Sequence, residues 1–280
     1  RRILDAAITA VDPAEAIHRH LLRRGTQLYI ADEMINLTGT RRVVVVGCGK
    51  AGAPMAAAVE DILGDRVSGG VVVTKYGHGQ PTKRVRIHEA AHPVPDEAGI
   101  AGAEAVLEQL QGLGVDDLVL VLVSGGGSAL MPAPVAGVTL AEKQAVTKAL
   151  LACGADIREM NALRKHISKI KGGQLARAAR PARVLTLILS DIVGDPLDAI
   201  ASGPTVPDPT TYADALAILD KYRIRQEIPA SVRAHLEAGA AGKLAETPKP
   251  DDPMFTRVRN LMVGSNIQAL EAAAKEARLQ

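Results

Sequence analysis

Short apolar runs alternate with amphipathic segments along the whole chain. Six stretches rich in Val, Leu and Ile are predicted to be strands: 43–46, 69–74, 85–87, 117–123, 183–189 and 260–263. The run at 43–46 is unbroken, as is typical of a strand buried on both faces. The segments between the six stretches favour helices. Because strands alternate with helices, the pattern predicts an α/β fold, namely a doubly wound, mostly parallel sheet flanked by helices, of the Rossmann-like type.

The first 24 residues favour two helices. The second helix is expected to begin after Asp12, a residue type that caps helix N-termini, with Pro13 in its first turn. Leu21 and Leu22 are expected to continue its apolar face. No internal repeat is evident, so the pattern describes one continuous α/β unit.

Further helices are expected at 139–152 and 157–179, the second interrupted at Gly172 and Gly173. Residues 1–265 are predicted to form one Rossmann-like domain. Residues 266–280 are predicted to form a final helix that leads toward a further domain.

Glycine-rich and polar clusters follow four of the predicted strands: Gly47–Gly52, Ser124–Ser128, Ser190–Asp195 and Gly264–Asn266. In a doubly wound sheet the carboxyl ends of the strands share one edge, and ligands bind there. The agreement among the four positions therefore predicts a ligand site at this edge.

The first cluster has the pattern of an oxyanion-binding turn. Gly47, Gly49 and Gly52 allow a close backbone approach, and the start of the following helix attracts negative charge. Lys50 lies in the same turn, where a cation opposes the helix dipole and so suggests an anionic partner. The alternative is a tight helix–strand packing turn with a solvated lysine.

The same glycine spacing is typical of dinucleotide-binding folds. NAD requires an acid at the end of the second strand, where this chain has Thr74 and Lys75, so NAD is disfavoured while NADP stays open. The turn is not a Walker A loop, because Lys50 is followed by Ala51. The remaining interpretation is a turn that places Lys50 against the oxygens of a phosphoryl group during its transfer.

The second cluster, formed by Ser124, Gly125, Gly126, Gly127 and Ser128, offers several amide donors and two hydroxyl groups. It is predicted to be a second anion cradle, with a plain flexible turn as the alternative. Its spacing lacks Gly-x-Ser-x-Gly, which argues against a serine nucleophile.

Three carboxylates follow the fifth strand, at Asp191, Asp195 and Asp198. Such groups hold Mg²⁺ or accept a proton from a substrate hydroxyl. Asp191 is the strongest candidate because it directly ends the strand, and Asp195 is the second candidate metal ligand. Ordinary turn and cap roles are the alternative for Asp195 and Asp198.

The segment Asn161–Gly173 is strongly basic. Arg164 and Lys165 lie within one helical turn and are predicted to bind a carboxylate or a phosphate, with a solvated basic face as the alternative. No chemical role is assigned to His92, and His166 is expected to be structural.

Charge and composition narrow the classes of partner. The net charge is +2 and aromatic residues make up 2% of the chain, so neither a broad basic surface nor base-stacking platforms for nucleic acid are expected. Two cysteines are too few for a disulfide framework, which favours a cytoplasmic location. No run is long enough to span a bilayer, and a homodimer is a base-rate expectation.

Five motifs in order over residues 43–212 resemble the class II glycerate kinases, whose C-terminal part is called the MOFRL domain. The motifs are GCGKAG, HPVPDE, SGGGSAL, NALRKHISKIKGG and SDIVGDPLDAIASGPTVPDPTTY. The resemblance implies phosphorylation of D-glycerate by ATP with Mg²⁺, usually to 2-phosphoglycerate, in a cleft between two α/β domains. It implies an essential lysine at Lys50 and the loop aspartate at Asp191.

The predicted site therefore has two catalytic residues, Lys50 and Asp191, and a larger set that binds substrate or nucleotide. That set consists of Gly47, Gly49, Ser124, Gly125, Gly126, Gly127, Ser128, Asn161, Arg164, Lys165, Gly264 and Asn266. Asp191 and Asp195 are the candidate Mg²⁺ ligands.

Chains of the family continue for roughly one more domain, whereas this sequence stops at Gln280. The expectation is that these residues carry half of a site and phosphorylate glycerate poorly alone. Two alternatives remain open: an NADP-dependent hydroxypyruvate reductase, and a non-catalytic domain that binds a sugar acid or a phosphate.

Overall fold

The computed structural model describes residues 1–280. The helices are α1 (Arg2–Ala10), α2 (Pro13–His20), α3 (Gly52–Leu63), α4 (Glu97–Gln109), α5 (Gly127–Leu130), α6 (Leu140–Ala152), α7 (Ile157–His166), α8 (Gln174–Ala178), α9 (Tyr212–Lys221), α10 (Ala230–Ala240) and α11 (Asn266–Arg278). The strands are β1 (Leu21–Arg24), β2 (Gln27–Ile30), β3 (Glu33–Asn36), β4 (Val43–Cys48), β5 (Val67–Lys75), β6 (Val85–Ala90), β7 (Leu118–Ser124), β8 (Arg183–Leu189) and β9 (Val258–Gly264).

Six of the strands form one parallel sheet in the order β6-β5-β4-β7-β8-β9. Numbered from β4, this is the order 3-2-1-4-5-6 of the doubly wound Rossmann fold. The predicted fold class is therefore confirmed. The order reverses between β4 and β7, where the ends of the two strands open a crevice for ligands.

The central strands are apolar along their whole length because helices cover both faces of the sheet. Every residue of β4 and β7 is buried. Val44 and Val46 face one core, which includes Val106 of α4, while Val43 and Val45 face a second core with α2 and α3. A third core joins α6, α7, α9 and α10 outside the sheet.

A three-stranded antiparallel sheet, β1-β2-β3, was not predicted. The expectation that Leu21 and Leu22 extend the second helix was wrong, because α2 ends at His20 and both leucines begin β1. In β1, Leu21 is buried and Leu22 is exposed, as alternation along a strand requires. The dipeptide Leu-Leu is compatible with a helix or a strand, and the pairing of β1 with β2 selects the strand.

The expected helix at 157–179 is broken more widely than the two glycines suggested. It ends at His166 and a short helix resumes at Gln174. The intervening residues form irregular backbone in which Lys169 donates its amide hydrogen to Ala133 and Gly172 donates to Ser202. These tertiary hydrogen bonds replace the helical ones and bring the basic segment under the loop that follows β7.

No helix of the structure is long and apolar enough to cross a membrane. The last helix, α11, contacts α1 and has no buried residue.

Candidate functional site

The four predicted loops meet at the carboxyl edge of the sheet. Lys50 follows β4, Gly125 follows β7, Asp191 follows β8 and Asn266 follows β9. The first two lie on either side of the point where the strand order reverses. The site is thus at the position where doubly wound sheets bind their ligands.

The turn after β4 is closed by its own hydrogen bonds. The amide of Lys50 donates to the carbonyl of Gly125 at 2.9 Å, and the amide of Ala51 donates to Ser124 Oγ at 3.0 Å. The amides of Gly49 and Gly52 also have backbone acceptors. This turn therefore does not present the free amides expected of an oxyanion cradle, and Lys50 contributes its side chain instead.

Gly47 and Gly49 are required by close packing against β7. A Cβ atom on Gly47 would lie 2.0 Å from the carbonyl oxygen of Leu122, and one on Gly49 would lie 2.1 Å from Ser124 Oγ. Gly49 also has a φ of +137°, a conformation that favours glycine. The geometry supports the packing alternative for these two glycines, and their predicted contact with ligand stays a prediction.

The loop after β7 has the opposite character. No acceptor in the protein receives a hydrogen bond from the amides of Gly125, Gly126, Gly127 or Ser128. Four consecutive amides without an acceptor lie beside the reversal point, and such runs of free backbone donors are able to bind oxyanions. Of the two predicted anion cradles, this loop has the suitable geometry.

Lys50 and Asp191 form an ion pair across the crevice. Lys50 Nζ lies 3.3 Å from Asp191 Oδ2, and the two side chains are 42% and 47% exposed. Because both groups are exposed, this ion pair contributes little to stability. Both predicted catalytic residues are thus brought together and are open to a ligand.

Asp191 is positioned from two sides. Its carboxylate lies directly over Gly125, since a Cβ atom there would lie 2.0 Å from Asp191 Oδ2. Its carbonyl accepts a hydrogen bond of 3.1 Å from Asn266 Nδ2. Gly264, in β9, accepts a backbone hydrogen bond from Ser190 at 2.8 Å. Asn266 and Gly264 therefore hold the strand end that carries Asp191.

The chain after Asp191 has an unusual backbone. Asp195, Ala201 and Ser202 all have positive φ angles between 50° and 60°, which cost energy for residues with a side chain. The oxygen Oδ1 of Asp195 is buried without a hydrogen-bond partner. Strain and an unsatisfied oxygen at one loop are features that functional sites tolerate.

No group of three or more His, Cys, Asp or Glu residues is arranged to hold a metal ion. Mg²⁺ usually keeps several waters and binds through one or two carboxylates plus the phosphates of its substrate. Asp191 is exposed toward the crevice and meets that lesser requirement. The donors present fit a metal ion carried by a nucleotide and do not form a metal site by themselves.

Ser128 is the centre of a polar cluster beneath the loop. Its Oγ accepts hydrogen bonds from Arg164 Nη2 and, at 2.9 Å, from Lys171 Nζ. With both lone pairs engaged, the hydroxyl of Ser128 donates to Ser202 Oγ at 2.9 Å, and Ser202 donates to Asn161 Oδ1 at 3.1 Å. Ser128 and Asn161 thus shape the loop from within.

Lys165 and Arg164 differ in availability. Lys165 is buried, with Nζ 3.4 Å from Asp208 Oδ1 and 3.6 Å from Asp198 Oδ2. Arg164 has no carboxylate partner and is only half-buried. Of the two predicted anion-binding residues, Lys165 is engaged in internal ion pairs and Arg164 is not, and the contact of either residue with a ligand stays a prediction.

His92 is a site neighbour that the sequence did not identify. A Cβ atom on Gly126 would lie 2.9 Å from His92 Nε2 and 3.4 Å from Lys50 Cγ, so the ring lies beside both residues. Burial, followed by the charges of Lys50 and Lys75, lowers the pKa of His92. Asp96, which accepts hydrogen bonds from the amides of Ala91 and Gly99, holds this loop in place. The one sequence feature that could have pointed to His92 is the proline-rich segment HPVPDE, which restricts the backbone around it.

The strand order defines a Rossmann-type α/β domain, and the free amides at the reversal point are its candidate oxyanion site. Residues 1–237 match the family described as Domain of unknown function (DUF4147), and the chain belongs to that family. The predicted resemblance to glycerate kinases is confirmed by the comparisons that follow.

The chain is 44% identical to glycerate 2-kinase of Pyrococcus horikoshii, over 99% of this chain and 61% of that protein. It is 50% identical to a protein of Agrobacterium vitis with a provisional name of hydroxypyruvate reductase, over 99% of this chain and 58% of that protein. The crystal structure of glycerate kinase from Thermotoga maritima superposes with a TM-score of 0.83 at 40% identity, over 99% of this chain and 61% of that chain. The chain thus spans about three fifths of the length of these relatives.

Proposed function

We propose that the protein containing this chain transfers the γ-phosphoryl group of ATP to a hydroxyl of D-glycerate and forms 2-phosphoglycerate. The observation that carries the proposal is the exposed Lys50–Asp191 pair beside four free amides at the reversal point of the sheet. Phosphoryl transfer needs positioned positive charge and little covalent chemistry, which these groups are suited to supply.

The proposed roles are divided among Lys50, the loop after β7 and Asp191. Lys50 neutralises charge that develops on the transferred phosphoryl oxygens. The amides of Gly125 to Ser128 bind phosphate oxygens. Asp191 orients or deprotonates the acceptor hydroxyl, and its pair with Lys50 keeps both groups in place before the ligands arrive.

Mg²⁺ is proposed to enter with ATP, and Asp191 is the residue of this chain that would hold it; Asp195 is the second candidate. When bound, the ion supplies neutralising charge to the phosphates. We place the reaction in the cytoplasm, where ATP is available and where Cys48 and Cys153 stay as free thiols. A homodimer remains a prediction.

The test is a phosphorus NMR spectrum of the longest natural form of the protein with ATP, Mg²⁺ and D-glycerate. A new phosphomonoester signal would establish the transfer. Coupling of phosphorus to a single proton would identify the 2-phosphate, whereas coupling to two protons would identify the 3-phosphate. An unchanged ATP spectrum from folded protein would contradict the proposal.

A reductase of hydroxypyruvate is the second candidate, because two relatives from Agrobacterium vitis carry that name. The matched assay is oxidation of NADPH in the presence of hydroxypyruvate and the absence of ATP. The end of β5 supplies Thr74 and Lys75, with Thr74 donating to the carbonyl of Gly49, so no acid is present there for a ribose hydroxyl. The missing acid disfavours NAD and leaves NADP open, so the assay with NADPH decides between the two candidates.

A further inference from the structure

Three cations lie together beneath the loop after β7 without a carboxylate partner. Lys171 is 1% exposed and donates to the carbonyl and the hydroxyl of Ser128, each at 2.9 Å. Lys143 is 6% exposed and donates to the carbonyl of Ile167 at 3.1 Å. Arg164 reaches Ser128 as well, and none of the three forms an ion pair.

The neighbouring Lys165 is a buried lysine whose charge is compensated by aspartates of the same chain. It is buried like Lys171 but lies within 4 Å of two aspartates. Neutral oxygens satisfy the donors of Lys143 and Lys171, and no carboxylate compensates the charged forms of the two lysines. A buried ammonium group without a partner is costly, so a negative charge supplied from outside the chain would stabilise the charged forms.

Arg164 is the one member of the trio that is partly exposed, whereas Lys143 and Lys171 are buried. Its guanidinium has five N–H donors, and Nη2 donates to Ser128. None of its other nitrogens is a buried atom that lacks a hydrogen-bond partner. A planar guanidinium binds a carboxylate through two parallel hydrogen bonds. The phosphates have a separate surface in the free amides beside Lys50.

We propose that Arg164 binds the carboxylate of a small hydroxy acid, and that Lys171 and Lys143 behind it supply the positive charge that makes the position selective for an anion. The identity of the acid as glycerate rests on the proposed function. Lys143 and Lys171 are positioning residues, since they act through Ser128, Ile167 and Arg164 and do not contact the ligand.

Burial lowers the pKa of Lys143 to about 7, and burial followed by the charge of Arg164 lowers the pKa of Lys171 well below its ordinary value. A carboxylate that arrives at Arg164 favours the charged forms of both lysines. Binding is therefore accompanied by proton uptake near pH 7.5, which hydrogen bonding of Lys171 to the loop would not by itself produce.

The test is isothermal titration calorimetry with D-glycerate and, separately, inorganic phosphate, without ATP. Two buffers of different ionisation enthalpy report proton uptake. Arg164→Gln and Lys171→Met are each expected to weaken glycerate binding about tenfold or more. Lys169→Met, an exposed lysine on the same segment, is the matched control and is expected to bind as wild type. Arg164→Lys keeps the charge if Arg164→Gln does not fold.

Equal glycerate affinity in wild type and in Arg164→Gln or Lys171→Met would overturn the proposal, as would no binding by the wild type. Phosphate binding that depends on Arg164 without glycerate binding would overturn the assignment to a carboxylate. Glycerate binding that depends on Arg164, without phosphoryl transfer, would support this site and contradict the kinase. The two proposals therefore fail in distinguishable ways.

Discussion

The Asp191 carboxylate lies where a side chain on Gly125 would be: a Cβ atom on Gly125 would lie 2.0 Å from Asp191 Oδ2 and 2.4 Å from Asp191 Cγ. The two residues come from loops 66 positions apart in the chain. A glycine in one loop is thus what allows an acid from another loop to approach Lys50.

Gly125→Ala is expected to push Asp191 away from Lys50 and to lower kcat about tenfold or more, since small displacements of a reacting group are costly. The half-exposed Asp191 side chain can move, so the free energy of unfolding is expected to change by less than about 1 kcal/mol. Steady-state kinetics and urea denaturation measure the two quantities. Gly39→Ala, where the new methyl meets no atom within 4 Å, is the control.

Lys50→Ala is expected to lower kcat about 100-fold or more, because it removes the cation proposed to face the transferred phosphoryl group. Its ion pair is exposed, so the loss of stability is expected to be within about 1 kcal/mol. Near-normal turnover would refute the role of Lys50. The exposed Lys83→Ala provides a charge-matched control whose kinetics should equal those of wild type.

Asp117→Asn is expected to destabilise the fold by about 3 kcal/mol, since it breaks a buried charged pair. Asp117 accepts hydrogen bonds from Arg41, Arg42 and the amide of Gly114 at the amino end of β7. Urea denaturation measures the loss. The exposed neighbour Asp116→Asn is the control, and a similar loss in both variants would contradict the argument.

The same carboxylate predicts acid sensitivity. Burial opposes its ionisation, but hydrogen bonds from Arg41 and Arg42 prevail and hold the pKa of Asp117 well below its usual range. The unfolded chain binds this proton first as the pH falls. Stability from Asp117 is therefore complete above about pH 4 and is lost at lower pH. Asp117→Asn should flatten this part of the stability curve.

Lys143 predicts a dependence of the same sense in the alkaline range, where stability again rises with pH. Its folded pKa is about 7, whereas an unfolded lysine titrates near 10.4. Between these values the unfolded chain holds more protons, so the free energy of unfolding rises with pH from about 7 to about 10.4. Lys143→Met should remove this rise. The exposed Lys148→Met should keep it, and parallel curves for wild type and Lys143→Met would contradict the prediction.

The order of apolar and polar residues was enough to predict the sheet and the edge that carries the candidate site. Unbroken apolar runs such as those of β4 and β7 are stable only when covered on both faces, so their alternation with helices left one class of fold. The residues that follow parallel strands must share an edge. The approach of Lys50 to Asp191 could therefore be anticipated from local pattern alone.

Only the tertiary structure decided which groups are free. Hydrogen bonds from the β4 turn to β5 and β7 use its amides, whereas those of Gly125 to Ser128 find no acceptor. Lys165 and Arg164 are adjacent in sequence, yet only Lys165 meets aspartates. The buried lysines at 143 and 171 gave no local signal. Whether an amide is free, and whether a buried cation has a counter-ion, depends on atoms that are distant in the chain. A local sequence pattern carries no information about those atoms.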